Sequence, residues 1–239
     1  MSAITSNLQA VRDRIDSAQK AAGRPVGEVR LVAVSKSFDA EAVLCAMAAG
    51  QRDFGENYVQ EALQKMAQVK AALSAAGTPF DAPQWHLIGP IQSNKTRAIA
   101  EHFDWVHTID RVKIAQRLSE QRPVNLAPLQ VCLQVNVSGE PTKSGVAPEQ
   151  LASLADAVVG LPRLSLRGLM AIPARASGAA TSDRTGFAAL RTLCQQLREK
   201  GVYCHDLSMG MSADFEAAIM AGATLVRVGT AIFGERDAA

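Results

Sequence analysis

Cysteine is scarce and scattered. The four present, Cys45, Cys132, Cys194 and Cys204, form no C-x-x-C pair and have no histidine at metal-ligand spacing. Cys45 and Cys132 fall in apolar stretches and read as core, and reduced thiols in a cytoplasmic protein are the expectation. No run approaches the roughly 18 apolar residues of a membrane span. The start, Met1-Ser2-Ala3-Ile4-Thr5-Ser6-Asn7, has neither a basic n-region nor an apolar h-region. Excess charge is also missing: 25 Lys and Arg against 23 Asp and Glu leave +2. That balance predicts neither nucleic acid nor a membrane surface as a partner, and the short basic group Lys95/Arg97 reads as a solvated loop. No Gly-x-Gly-x-x-Gly follows the first apolar run, which weakens a dinucleotide-binding reading. Neither a Ser–His–Asp order nor a paired-carboxylate constellation stands out.

What is present is an ordinary globular composition, 48% hydrophobic and 20% charged over 239 residues. With no shift of composition along the chain, one domain over 1–239 is expected. Leu8, Val11, Ile15 and Ala18 recur at helical spacing and predict a first helix over about 6–22, ended by Gly23 and Pro25. Strand patterns follow at 29–36, 53–55, 85–89, 104–108, 129–137, 166–172, 206–209 and 225–229. Helical patterns lie between them near 40–49, 57–75, 94–101, 111–121, 148–159, 184–199 and 213–221. A doubly wound sheet alternates in the same way. Eight units in under about 250 residues fit a single (β/α)8 TIM barrel better, with the extra N-terminal helix plugging or flanking it. The small polar segment from Pro173 to Ser182 is expected to be a mobile loop after the sixth strand.

Lys36 closes the apolar run Leu31-Val32-Ala33-Val34-Ser35. Lysines often cap strands as solvated ends. Barrel strands alternate between the interior and the helix layer, so if Lys36 faces inward, Val32 and Val34 do too, while Ala33 and Ser35 face the helices. In the last strand an arginine beneath helices would be an unpaired buried charge. Arg227 is therefore expected to point inward with Gly229. Closure then makes the first and eighth strands neighbours and sets Lys36 beside Arg227, Gly229 and Thr230. Partial desolvation near a cation favours the free amine that a Schiff-base lysine needs.

The segment Ser208-Met209-Gly210-Met211-Ser212 precedes a helical pattern from Asp214, with Ser212 at the expected N-cap. Helix starts bind anions, and barrels often bind phosphate after strands seven and eight. Gly229 would let backbone approach such a group and the Thr230 hydroxyl would donate to it. A plain helix cap and a tight turn are the alternative. A reactive amine and a phosphate cradle together suggest a phosphorylated aldehyde, with pyridoxal 5′-phosphate leading. Asn57 with Gln60 has capping-box spacing but can also reach the mouth. His86 reads either as a base or as a satisfied core histidine, and His102, His107 and His205 show no partner pattern.

Several stretches, taken together and in order, resemble the YggS/PROSC family of pyridoxal phosphate homeostasis proteins. They are Leu31 to Ser37, Phe54-Gly55-Glu56-Asn57-Tyr58, Trp85-His86-Leu87-Ile88-Gly89 with Gln92-Ser93-Asn94-Lys95, and Gln134-Val135-Asn136-Val137 with Lys143-Ser144-Gly145. The rest are Gly168-Leu169-Met170, Ser208 to Ser212 with Asp214-Phe215, and Arg227-Val228-Gly229-Thr230 with Phe233-Gly234. The resemblance implies a barrel like the N-terminal domain of alanine racemase and pyridoxal phosphate held as a Schiff base on Lys36. It implies phosphate contacts from Ser212, Gly229, Thr230 and the Met211 backbone. Arg227 would lie near the cofactor, at its pyridine nitrogen or its phosphate side, with Asn57, His86 and Met170 lining the ring pocket. No metal is implied. Racemases of this fold add a C-terminal β domain carrying a second base, whereas this sequence stops soon after Phe233-Gly234 and has only Tyr58 and Tyr203 as tyrosines. The expectation is therefore a monomeric carrier of the coenzyme without turnover, with PLP-dependent apoenzymes as transient recipients. A racemase-like enzyme is the alternative, and a cofactor-free lysine aldolase a third reading.

Overall fold

A computed structural model describes residues 2–76, 82–140, 142–172 and 184–235. The chain opens with α1 (Ala3–Ala21), β1 (Arg30–Val34), α2 (Ala40–Ala48), β2 (Asp53–Glu56), α3 (Val59–Ala76) and β3 (Gln84–Leu87). It continues through α4 (Thr96–His102), β4 (Trp105–Ile109), α5 (Val112–Gln121), β5 (Leu129–Gln134), α6 (Leu151–Val159) and β6 (Leu164–Met170). The last elements are α7 (Arg184–Glu199), β7 (Asp206–Ser208), α8 (Phe215–Met220), β8 (Leu225–Val228) and α9 (Thr230–Phe233). The expected mobile loop at 173–182 lies outside the described residues.

The eight strands close in sequence order into a parallel barrel, as the alternation predicts. The seam pairs β1 with β8, Val32 opposite Arg227 and Ala33 opposite Val228. Side chains alternate between the interior and the helix layer, with shifts of register between Val106 and Ile109 of β4 and where Val131 and Cys132 of β5 meet β6. Leu31, Ala33, Val226 and Val228 pack outward into the core beneath the helices, while Val32, Trp105, Cys132, Met170 and Leu225 form a separate buried cluster inside the barrel. The inward direction of Val32 and Arg227 is thus the one that charge burial requires. Two glycines permit close approaches. A Cβ on Gly168 would sit 1.8 Å from the Asp206 carbonyl oxygen of β7, and one on Gly89 would sit 2.3 Å from that of Asn57. The second contact presses the loop after β3 against the loop after β2.

Helix α1 lies outside the β1–β8 seam. It is capped by the Ser2 hydroxyl, which accepts from the Thr5 N–H, and it buries Leu8, Val11, Ile15 and Ala18 at the spacing read from the sequence. It is tied down at several points: Asn7 Nδ2 donates to the Ile232 carbonyl, Arg12 to that of Ala49, and the Val29 N–H to Gln19.

Three expectations are corrected. Cys194 near the end of α7 and Cys204 before β7 form a disulfide, with Cα atoms 5.7 Å apart. The reason is packing: α7 folds back so that its last turns lie against the approach to β7, which brings together residues ten apart in sequence. Cys132 is buried as expected, but Cys45 is only partly so. Ser212 does not cap α8 either. That helix begins at Phe215 with Asp214 in the cap position, because the Asp214 carboxylate accepts from the Met211 N–H at 2.6 Å and folds the preceding residues into a turn.

Candidate functional site

Lys36 stands two residues past the end of the buried strand, half-buried, on a tight turn. The Ser35 carbonyl accepts from the Phe38 N–H at 3.1 Å, and Ser37 takes a left-handed φ of 67°. A four-residue turn with positive φ at its third residue is the type II pattern, which usually asks for glycine or asparagine there. Ser37 is held in it because its N–H donates to Glu61 Oε1 at 2.5 Å. On the other side of Lys36, the Ser35 hydroxyl donates to Glu56 Oε1 at 2.6 Å and its N–H to the Gly55 carbonyl. Beneath both serines lies Lys65 of α3, only 4% exposed, whose Nζ reaches the Ser35 carbonyl, Glu56 Oε1 and Glu61 Oε1 at 2.7, 2.7 and 3.1 Å. Glu56 is fully buried. Its burial pushes the carboxyl above its ordinary value, against the opposing pull of Lys65. Both flanks of the lysine are therefore clamped by one buried ionic cluster.

Across the seam, Arg227 is buried inside the barrel. Its Nη1 donates to Ser208 Oγ at 2.6 Å and its Nη2 to the Ala171 carbonyl at 3.0 Å. Burial lowers its pKa to about 10, with Asp214 opposing. Those two bonds use two of five N–H donors, and no carboxylate among the described residues forms an ion pair with it. A buried cation with spare donors is the deficit that a bound acceptor fills. Met170, fully buried, ends β6 opposite Ser208.

Gly229 follows β8. A Cβ there would lie 3.2 Å from the Val34 carbonyl oxygen and 3.3 Å from its Cβ, so the glycine also serves the seam. Its N–H donates to Ser212 Oγ at 3.3 Å, which joins the loops after β7 and β8. Thr230 is exposed and opens α9, where the leading N–H groups have no partner within their own helix. The Met211 N–H, by contrast, is engaged by Asp214. Phe38 and Phe233 rings at 5.1 Å bridge the Lys36 loop to α9. The structure thus collects Lys36, Arg227, Ser212, Gly229 and Thr230 around the β1–β8 seam at the carboxyl ends of the strands.

Asn57 and His86 stand differently. Asn57 is half-buried, and α3 starts at Val59 with the Tyr58 carbonyl accepting from the Ala62 N–H, so Asn57 precedes the cap position. His86 is fully buried, and both ring nitrogens are engaged below the mouth: Nε2 with Asp53 Oδ1 and Nδ1 with His107 Nε2, each at 3.0 Å. The satisfied core histidine is the reading these bonds favour. His107, which shows no partner pattern in the sequence, is its partner and continues to Ser208 Oγ at 2.7 Å. The available signal was positional: each histidine is the third residue of its strand, on adjacent strands, both facing inward. Lys65, Glu56 and Glu61 were not singled out at all. A lysine on a helix reads as solvated until the fold buries it. His102 and His205 lie on the outer surface, against the Ala98 carbonyl and the Tyr203 ring.

Residues 6–237 match the family model described as the alanine racemase N-terminal domain. The chain is 58% identical over 237 residues to the pyridoxal phosphate homeostasis protein of Pseudomonas aeruginosa, covering 99% of this chain and 97% of that one. It is 54% identical to the protein of the same description from Vibrio cholerae, covering 99% and 98%. The solved structure of PipY from Synechococcus elongatus with PLP bound superposes with a TM-score of 0.81 at 36% identity, covering 97% of this chain and all of that one.

Proposed function

The chain belongs to the pyridoxal phosphate homeostasis protein family, built on the alanine racemase N-terminal domain, and from that premise we propose that it binds pyridoxal phosphate at the carboxyl-end mouth of its barrel, anchored on the Lys36 amine. When bound, that group supplies an electrophilic aldehyde carbon and a phosphate dianion. The observation that carries the reading is the seam. Register pairing of Val32 with Arg227 and the contact of Gly229 with Val34 bring the Lys36 turn alongside Arg227 and the Ser212–Gly229 junction.

Each residue has a physical task. The clamped turn holds the Lys36 amine at the mouth and limits the directions it can take. Ser212 Oγ, the Thr230 N–H and the Thr230 hydroxyl supply neutral donors to the phosphate, and the Gly229 N–H joins them only if Ser212 Oγ releases it. The Met211 N–H joins them only if Asp214 releases it. Arg227, a donor-only group, meets an acceptor, and at a ring nitrogen it would keep that nitrogen unprotonated and weaken the ring as an electron sink. Met170 offers an apolar floor, with Asn57 at the rim and His86 beneath. That donor set favours holding over turnover. The reading extends to a single domain over 1–239, acting as a monomer in the cytoplasm, with PLP-dependent apoenzymes as transient recipients and no nucleic acid. Among the described residues no helix is long and apolar enough to cross a membrane.

Borohydride reduction of the protein equilibrated with pyridoxal phosphate, followed by peptide mapping, should find the pyridoxyl-phosphate adduct on the peptide containing Lys36. Lys36→Ala should abolish both the adduct and the visible absorbance while leaving the circular dichroism unchanged. An adduct on Lys143 instead would move the anchor. Robust α-proton exchange of an amino acid by the loaded protein, lost in Lys36→Ala, would replace the carrier reading with a racemase-like one.

A further inference from the structure

Arg227 is the upper end of a continuous hydrogen-bonded chain through the barrel core. Its Nη1 meets Ser208 Oγ at 2.6 Å, Ser208 Oγ meets His107 Nδ1 at 2.7 Å, His107 Nε2 meets His86 Nδ1 at 3.0 Å, and His86 Nε2 meets Asp53 Oδ1 at 3.0 Å. Its five members come from five strands, β2, β3, β4, β7 and β8. Asp53 is the first residue of β2 and Arg227 the third of β8, so the chain climbs from the amino-end edge of the barrel towards the carboxyl-end mouth.

The two ends fix its direction. A guanidinium only donates and a carboxylate only accepts. Ser208 Oγ therefore accepts from Arg227, and its single hydrogen is left for His107 Nδ1. His107 then carries its proton on Nε2 and donates to His86 Nδ1, and His86 carries its own on Nε2 and donates to Asp53. All four bonds are satisfied with every hydrogen pointing away from Arg227 and both rings neutral. Reversing His107 would set the His86 Nε2 lone pair against the Asp53 carboxylate unless one further proton entered at that end. Burial favours the neutral rings, lowering the pKa of both histidines. The charged and titratable groups that face the pair are Arg30, Asp53 and Asp104 around His86, and Arg227 and Arg30 around His107. The lower end is within reach of solvent, because Asp53 lines a cavity of about 330 Å³ at the barrel base together with Arg12, Gln51 and Arg52.

We propose that His107, His86 and Asp53 are positioning residues for Arg227: a one-way hydrogen-bond chain that fixes the guanidinium plane and directs its remaining donors to the mouth. A fully satisfied buried network specifies one arrangement, whereas a broken one leaves Arg227 short of an acceptor and able to turn. The role of Arg227 towards the ring rests on the pyridoxal phosphate reading. The chain itself does not.

The test has two arms. Long-range proton–nitrogen spectra of the full-length protein without coenzyme, assigned with His86→Gln and His107→Gln, should show both rings neutral with the proton on Nε2 between about pH 6 and 8. An Nδ1-protonated His107, or an imidazolium in that range, overturns the chain. In the second arm, coenzyme is titrated by absorbance. Ser208→Ala and His107→Phe should weaken binding about tenfold, as the loss of one buried bond would, and should shift the pH dependence of the absorbance, while borohydride still traps the coenzyme on Lys36. His107→Gln can accept from Ser208 and donate to His86, so it should restore binding. Unchanged affinity and pH profile in Ser208→Ala and His107→Phe refute the positioning role. A wild-type protein that binds no coenzyme refutes the function proposed above, and the spectra then still decide the chain.

Discussion

Lys65 is the residue whose environment differs most from what its type suggests. A lysine on a helix ordinarily faces water, yet this one is 4% exposed and is tied to Glu56 and Glu61. Removing one partner of a buried pair leaves an uncompensated charge, at a cost of about 3–5 kcal/mol. Lys65→Met should lose stability of that order in chemical denaturation, and adding Glu56→Leu should recover most of it. Equal losses in the single and double variants would contradict the pairing. The buried histidines make a second residue-scale prediction. Their folded pKa values lie below the ordinary 6.5, so as pH falls below about 6.5 the unfolded chain binds more protons than the folded one. Their contribution to stability is therefore full above that pH and drains away below it. Glu56 and Asp104, raised by burial, pull the opposite way, so the slope is read as the difference between wild type and His107→Gln. The variant should lose less stability between about pH 6.5 and 5. Lys36 and Arg227 were legible in sequence because strand alternation and the cost of a buried charge constrain them. Lys65 and Ser37 were not, since a helix neighbour supplies their reasons.

Among elements, all eight strands were readable from apolar runs at regular spacing. The exceptions were local: α9, four residues long, is too short to show a period, and the start of α8 was misplaced because an aspartate side chain folds the residues before it. Gly168 illustrates what one element demands of its neighbour. Its missing Cβ is the space occupied by the Asp206 carbonyl of β7. Gly168→Ala should therefore cost about 3 kcal/mol or prevent closure. Gly160→Ala, at the end of α6 where a Cβ meets nothing within 4 Å and φ is −76°, should be neutral or slightly stabilising. Urea denaturation of the pair separates a close-packing requirement from a general effect of adding a methyl group.

At the scale of the molecule, α1 closes the side of the barrel where the first and last strands meet. Leu8, Val11 and Ile15 are each at most 3% exposed. Their burial contributes roughly 1.5–3 kcal/mol apiece, a sum comparable with the ~5–15 kcal/mol that holds a typical domain. A chain lacking residues 1–22 should accordingly lose its near-ultraviolet circular dichroism. A native spectrum would mean that the helix only decorates the barrel.

The β1–β8 seam also has a consequence for the order of synthesis. The strand that leads to Lys36 leaves the ribosome early, whereas its register partner is the last of the eight barrel strands to be made. During most of translation the lysine has neither Arg227 beside it nor Gly229 against Val34. A nascent chain, or one cut short before β8, carries the amine without the cradle. Synthesis through β8 is thus a precondition of the site, and a chain that has not reached it has no organised place in which to hold a reactive aldehyde.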